Sequence, residues 1–259
     1  MALLEVQGLT HHFGSVCTAR DLHLGFEEGV VTSIIGPNGA GKSTFINLVT
    51  GHLPVQQGRI AFRGTDVTRL EVHRRVRLGI CRSFQIANVF PQLTVRENAL
   101  IPVLALSGRA RRPFAPVAGE AEARAEAEAV LERVGLSAQR DLAASALSHG
   151  DRRLLEVAVA LAARPVVLFL DEPTAGMNPV ERIRLLEGIR KLSAEGRTTF
   201  VLVEHDMDVV FSLSERVVVL HRGEVLCDGA PDRVRGDARV REVYLGDEVA
   251  GEPAEAAAR

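Results

Sequence analysis

Residues 36–43, GPNGAGKS, have the composition and spacing of a polyphosphate cradle. Gly36, Gly39 and Gly41 free the backbone to wrap a phosphate chain with its amide hydrogens pointing inward, at a helix N-terminus that favours negative charge. Lys42 supplies a cation for the β- and γ-phosphates, and the Ser43 hydroxyl is a candidate Mg2+ ligand. The pattern G-x-x-x-x-G-K-[ST] arises by chance about once in a hundred chains of this length at average composition. Here it also follows an apolar run at 30–35 and leads into helical sequence, the context it requires. The candidate phosphate-binding segment is Gly36, Pro37, Asn38, Gly39 and Ala40, continued by Gly41, Lys42, Ser43 and Thr44.

Four other segments carry reactive side chains. VVLFLDEP at 166–173 ends an apolar run with Asp171 and Glu172. An open α/β sheet binds ligands beyond the carboxyl ends of its strands, so Asp171 there can hold Mg2+ directly or through water. Glu172 beside it is placed to polarise an attacking water. Taken singly, the first is also a strand-end or cap carboxylate and the second a structural acid. His205 follows TTFVLVE in the same manner, within reach of a γ-phosphate, although a lone histidine is more often structural. Gln85 ends ICRSFQ, where it could touch Mg2+ or water. In LSHGD at 147–151, Ser148, His149 and Asp151 are near neighbours on one turn and diverge, unlike a hydrolase triad assembled from separate segments. Ser-x-x-Asp ahead of RRLLEVAVALAA matches a capped helix start instead, with the helix beginning near Arg152.

The elements that must position these residues are strands and helices in alternation. Strand-like runs fall at 3–6, 22–26, 30–35, 59–63, 166–171, 198–204, 216–221 and 224–229. The continuously apolar ones at 30–35, 166–171 and 198–204 fit strands buried on both faces of a parallel sheet. Residues 87–163 lack strand signals and read as an inserted helical subdomain. It contains a basic, proline-bearing loop at 107–116 and an Ala/Glu-rich helix after it, with opposite charges at i,i+4 (Glu120 with Arg124, Arg124 with Glu128). The fold expected is α/β, a P-loop NTPase core with a mainly parallel sheet and antiparallel β elements near the N-terminus. The core covers about 1–86 and 164–246, and 247–259 is expected to be a disordered tail.

Composition narrows the function classes. The chain is 46% hydrophobic and 25% charged with net charge −2, values of an ordinary soluble globular protein. Near-neutral charge argues against a broad nucleic-acid-binding face. No run of about 18 apolar residues exists to span a membrane, and the start shows no signal peptide. Cys17, Cys81 and Cys227 are odd in number and widely spaced, as suits reduced thiols rather than a metal or disulfide framework.

The ordered set of phosphate loop, Gln85, LSHGD, LDEP and His205 resembles the ATPase subunit of an ABC transporter, over essentially residues 3–246. The resemblance implies ATP and Mg2+ as cofactors, with Lys42, Glu172 and His205 catalytic and Ser43, Gln85 and Asp171 at the metal. It makes LSHGD the signature motif, usually Leu-Ser-Gly-Gly-Gln, so His149 stands where relatives carry glycine. Ser148, His149 and Gly150 would then act on ATP held by a second ATPase subunit paired head to tail, whether identical or different. Phe13 in LTHHFG resembles the aromatic that stacks on adenine, though it could be an ordinary apolar contact. AGMN at 175–178 takes the D-loop position, with Asn178 where many relatives have aspartate; Asn178-Pro179 is also a normal helix start.

RSFQIANVFPQLTVRENAL, AGMNP, VEHDMDVV and REVYLG resemble the branched-chain or hydrophobic amino-acid uptake branch, the longer of its two ATPases. That implies transmembrane permease subunits contacted through about 86–98, an indirect link to a substrate-binding protein, and a peripheral location on the cytoplasmic face of the cell membrane. Urea or amide importers and lipopolysaccharide-type exporters share parts of this vocabulary. A non-transport ABC ATPase acting on DNA or the ribosome would bring long coiled coils or a second ATPase domain, and neither is present, so no nucleic-acid partner is expected.

Overall fold

The structure, a computed structural model, describes residues 2–83, 89–107 and 120–250. Two sheets build the core. In the larger, the parallel strands β3 (Thr32–Ile35), β8 (Thr199–Val203), β7 (Val167–Asp171) and β6 (Ile80–Arg82) adjoin β9 (Arg216–His221) and β10 (Glu224–Gly229), in the order β10-β9-β3-β8-β7-β6. β3, β7 and β8 are buried at every position, as their unbroken apolar runs require. Successive residues face opposite cores. Leu168 and Leu170 pack with the helical region, whereas Val167 and Phe169 pack toward the second sheet.

That second sheet is antiparallel, ordered β2-β1-β4-β5, from β1 (Leu4–Phe13), β2 (Val16–Phe26), β4 (Gln57–Phe62) and β5 (Thr65–Asp66). Its first hairpin is longer than the runs 3–6 and 22–26 predict. Polar residues at its far end obscure the alternation, and the pairing shifts register between Val6 and His12. β6 is absent from the sequence prediction: three residues carry too little periodicity, and pairing of Ile80, Cys81 and Arg82 with β7 makes the strand. Helix α1 (Lys42–Thr50) lies between the sheets, with Phe45, Ile46, Leu48 and Val49 buried.

Among the described residues, the middle of the chain is built from helices and short helical turns. After α2 (Val72–Leu78), α3 (Val95–Leu106), α4 (Glu120–Arg133) and α5 (His149–Ala162) pack on the sheet face opposite α1. Thr94 and Glu97 form a full capping box that starts α3. Glu128 of α4 bonds Arg96 of α3, and Glu126 holds Arg164 after α5. α6 (Pro179–Ala194) and α7 (Met207–Leu213) follow β7 and β8, and α8 (Pro231–Gly236) and α9 (Ala238–Ala250) close the chain. The tail assignment is corrected by α9. Residues 247–250 continue that helix, because Asp-Glu-Val-Ala has no breaker before Gly251 and Pro253. Gln85, most of the basic loop at 107–116 and residues 251–259 lie outside the described residues. Among the described residues no helix is long and apolar enough to cross a membrane.

Candidate functional site

The phosphate loop connects buried β3 to α1 and leaves the start of α1 without a side-chain cap. Its first-turn amides therefore face outward as donors. Gly41 has φ 103°, and a Cβ there would lie 2.2 Å from the Thr18 carbonyl oxygen, so only glycine allows β2 to lie this close. This contact sets the β1–β2 hairpin end beside the loop, and Phe13 at the end of β1 is 50% exposed there. Lys42 is buried and donates to the Gly36 carbonyl at 2.5 Å and the Pro37 carbonyl at 3.0 Å. Burial lowers its pKa from the ordinary lysine value, while the nearby carboxylates Glu172 and Asp171 oppose that shift. Ser43, one residue on, is exposed.

The ends of β7 and β8 bring the acids and histidine together. Glu172 follows β7 with φ 47°, a left-handed conformation that costs of order 1–3 kcal/mol for a non-glycine residue. Its amide is held by the Val203 carbonyl at 2.8 Å, and its carboxylate meets His205 Nε2 at 2.6 Å. The strained backbone thus turns this carboxylate toward the one histidine that follows β8. Asp171 is 3% exposed and accepts from Arg82 Nη2 at 2.5 Å. Arg82 also donates to Asn47 Oδ1 on α1.

Glu204, between Val203 and His205, carries no sequence signal of its own yet organises the loop. Buried, it accepts from the Thr174 amide at 3.0 Å and the Thr174 hydroxyl at 2.8 Å, and from the His205 amide at 3.3 Å. Burial raises its pKa above the usual carboxylate value, opposed by the Thr174 bonds.

LSHGD forms the start of α5, which begins at His149, three residues before the position expected. Ser148 is the cap, its hydroxyl accepting from the Asp151 amide at 3.0 Å. The segment is tied to the start of α6 in the same chain. Gly150 N donates to Glu181 Oε1 at 3.1 Å, Arg184 reaches Asp151 Oδ1 at 2.8 Å, and His149 Nε2 lies 3.3 Å from the Ala175 carbonyl oxygen. Because a carbonyl only accepts, that contact places the proton on Nε2. Asn178 caps α6 in a capping box with Glu181. Ser148 and His149 are exposed, whereas Gly150 is buried under Glu181.

The profile of the family described as ABC transporter matches residues 19–175. The high-affinity branched-chain amino acid transport ATP-binding protein BraF of Pseudomonas aeruginosa is 39% identical, over 95% of this chain and 98% of its own. This chain belongs to the ATP-binding cassette family of ABC transporters. Its fold matches the ADP conformation of an ATP-binding cassette of an ABC transporter with TM-score 0.85 at 32% identity, covering 95% of this chain and 99% of that one. A dimeric cassette bound to ADP and Pi matches with TM-score 0.74 at 25% identity, over 88% of this chain and 98% of that one. A second profile, for the branched-chain amino acid ATP-binding cassette transporter, matches residues 224–250, which form β10, α8 and α9.

The cassette's ATP-binding and hydrolytic character follows from this membership. Its structure brings Lys42, Asp171, Glu172 and His205 to one sheet edge, and sets the Ser148–Gly150 segment on a separate ridge at the start of α5. Beside that edge, β6 and α5 enclose an apolar cavity of about 190 Å3, lined among others by Val72, Val76, Cys81, Val89, Val159 and Ala160. Burial pushes the Cys81 thiol up to about 12, so it lines the cavity as a neutral apolar group. From 89 onward the surface expected to meet a permease is ordered by Asn98, which bonds both the amide and the carbonyl of Phe90. The Phe90 side chain is 54% exposed.

Proposed function

We propose that this cassette binds and hydrolyses MgATP to power uptake of branched-chain or other hydrophobic amino acids through a membrane permease, from the cytoplasmic face. The observation that carries the cargo class is the match of residues 224–250 to the branched-chain amino acid cassette profile, in a region outside the ATP site. The oxygen donors available, a serine hydroxyl and an aspartate, fit Mg2+. Ser43 and Asp171 would hold it, with Gln85 as a third candidate, and the ion would neutralise phosphate charge. Lys42 leaves its two loop carbonyls for phosphate oxygens, a charge-assisted exchange. Glu172 accepts a proton from the attacking water, and His205 orients it through the 2.6 Å contact. Phe13 stacks on the adenine.

Two cassettes pair head to tail, and each supplies its α5 start to the partner's nucleotide. Ser148 offers its hydroxyl and His149 its exposed edge; Gly150 offers its amide only after Glu181 turns away. The exposed Phe90 surface and the neighbouring apolar cavity receive the permease.

The test is reconstitution of the cassette with its native permease in proteoliposomes. ATP-dependent leucine uptake is expected, and Glu172→Gln should bind ATP normally while turnover falls about 10²–10⁴-fold. ATPase activity that ignores amino acids and responds to a lipopolysaccharide or amide cargo would overturn the cargo assignment. Undiminished turnover in the variant would remove Glu172 from the base role.

A further inference from the structure

Arg82 is the cation that the sequence gives no reason to notice. It sits at the end of β6, its side chain 10% exposed, and its guanidinium lies 2.5 Å from the carboxylate of Asp171, whose side chain is 2% exposed. The second terminal nitrogen bonds Asn47 on α1, and Nε is buried without a hydrogen-bond partner among the described residues. One side chain thus joins the helix that begins at the phosphate loop, the aspartate assigned to the metal and the strand beside the apolar cavity, which Arg82 itself lines. Removing one partner of a buried ion pair is strongly unfavourable, so the 2.5 Å contact with Arg82 holds this aspartate in place when no nucleotide is bound. A divalent cation beside the same carboxylate would repel the guanidinium, because two cations cannot share one buried site cheaply.

We propose that Arg82 is a positioning residue that holds Asp171 until a divalent cation arrives with the nucleotide, and is displaced by it. Metal loading then moves a side chain that forms part of the wall of the cavity beside β6. This rests on the assignment of Asp171 to the metal site.

The experiment measures equilibrium binding of a fluorescent ATP analogue to the full chain, in EDTA and in Mg2+. The ratio of the two dissociation constants reports how much the metal contributes. In Arg82→Gln the metal meets an aspartate with no competing cation, so that ratio should rise about tenfold or more over wild type, a fraction of what stripping a buried carboxylate of its partner costs. Arg82→Lys keeps the charge and should return the ratio toward wild type. A ratio in Arg82→Gln equal to or below wild type overturns the proposal. If Arg82→Gln does not fold, the wild-type chain carries the test by NMR. The Arg82 Nε–H resonance, identified by its loss in Arg82→Lys, should move when Mg2+ joins bound ATP and stay still with ATP in EDTA; an unmoved resonance also overturns it. A chain that binds no nucleotide under either condition would instead defeat the ATPase reading.

Discussion

Replacing Arg75 with methionine tests whether the phosphate-loop helix is held from its far end. Arg75 is 1% exposed and faces four backbone carbonyls. Nη1 donates to Leu48 at 2.7 Å and to Val49 at 2.5 Å, Nη2 to Thr68 at 2.8 Å, and Nε to Leu70 at 2.9 Å. Leu48 and Val49 belong to the last turn of α1, where carbonyls run short of helical donors and the helix dipole is negative; the Leu48 carbonyl also accepts from the capping Gly51 amide. Burial lowers the guanidinium pKa to about 10, so it stays charged at neutral pH. Hydrogen bonds from a charged donor contribute about 1.5–3 kcal/mol each, so four give roughly 6–12 kcal/mol gross. Burying the cation costs several kcal/mol in the other direction. The variant should therefore lose about 3–5 kcal/mol, a large share of a domain stability of about 5–15 kcal/mol. Urea unfolding followed by far-UV circular dichroism measures this as a lower midpoint at unchanged slope. A loss under about 1 kcal/mol would show that the carbonyls find other partners, and would refute the claim that Arg75 anchors α1.

Three further outcomes are expected. Lys42→Met should weaken ATP binding by about 2–3 kcal/mol, roughly 30- to 150-fold, because phosphate contacts replace two loop bonds that the ammonium already makes; a fluorescent nucleotide titration checks this, and a change under threefold would contradict it. Glu204 has its folded pKa raised, so it binds its proton more tightly when folded; its stabilising effect is full below the unfolded pKa and is lost as pH rises through the folded value. The melting temperature of Glu204→Gln relative to wild type should accordingly improve between pH 4.5 and pH 7, and a flat difference would show that ionisation there is free of cost. Gly176 has φ 74° and a Cβ would lie 3.1 Å from His149 Nε2, so Gly176→Ala should cost about 1–2 kcal/mol of stability, less in a His149→Gly background; additive effects in that double-mutant cycle would mean the histidine does not touch the loop.

What the sequence made legible were features encoded by neighbours. GPNGAGKS carries its glycines, lysine and serine within eight residues, and β3, β7 and β8 announce themselves as unbroken apolar runs because both faces are covered. The start of α5 was readable from Ser148 and Asp151, although Asp151 serves as the amide donor to the cap while its carboxylate goes to Arg184. What stayed hidden depends on partners far along the chain. Arg82 meets Asp171 across 89 positions, Arg75 reaches α1 across 26 and 27, and Glu204 holds Thr174 across 30. Arg82 and Glu204 are charged residues at the ends of short apolar runs, and Arg75 sits among other basic residues in HRRVR, so no local pattern separates any of them from a solvated charge. β6 was lost for the same reason: three residues become a strand only because β7 is there to pair with them.

These hidden contacts give the conspicuous motifs a common frame. Glu204 fixes Thr174, three residues after Asp171, and the same loop runs through Ala175 and Gly176 to the cap of α6. His149 rests on that loop, and Glu181 and Arg184 of α6 hold Gly150 and Asp151. The ridge that would face a partner's ATP is therefore built onto the loop leaving this chain's own Asp171 and Glu172. A shift at one nucleotide would reach the other through hydrogen bonds of one chain, with no flexible linker between. The histidine at 149 then has a physical reason distinct from phosphate binding: it adds a side chain, where glycine has none, to the contact between ridge and loop.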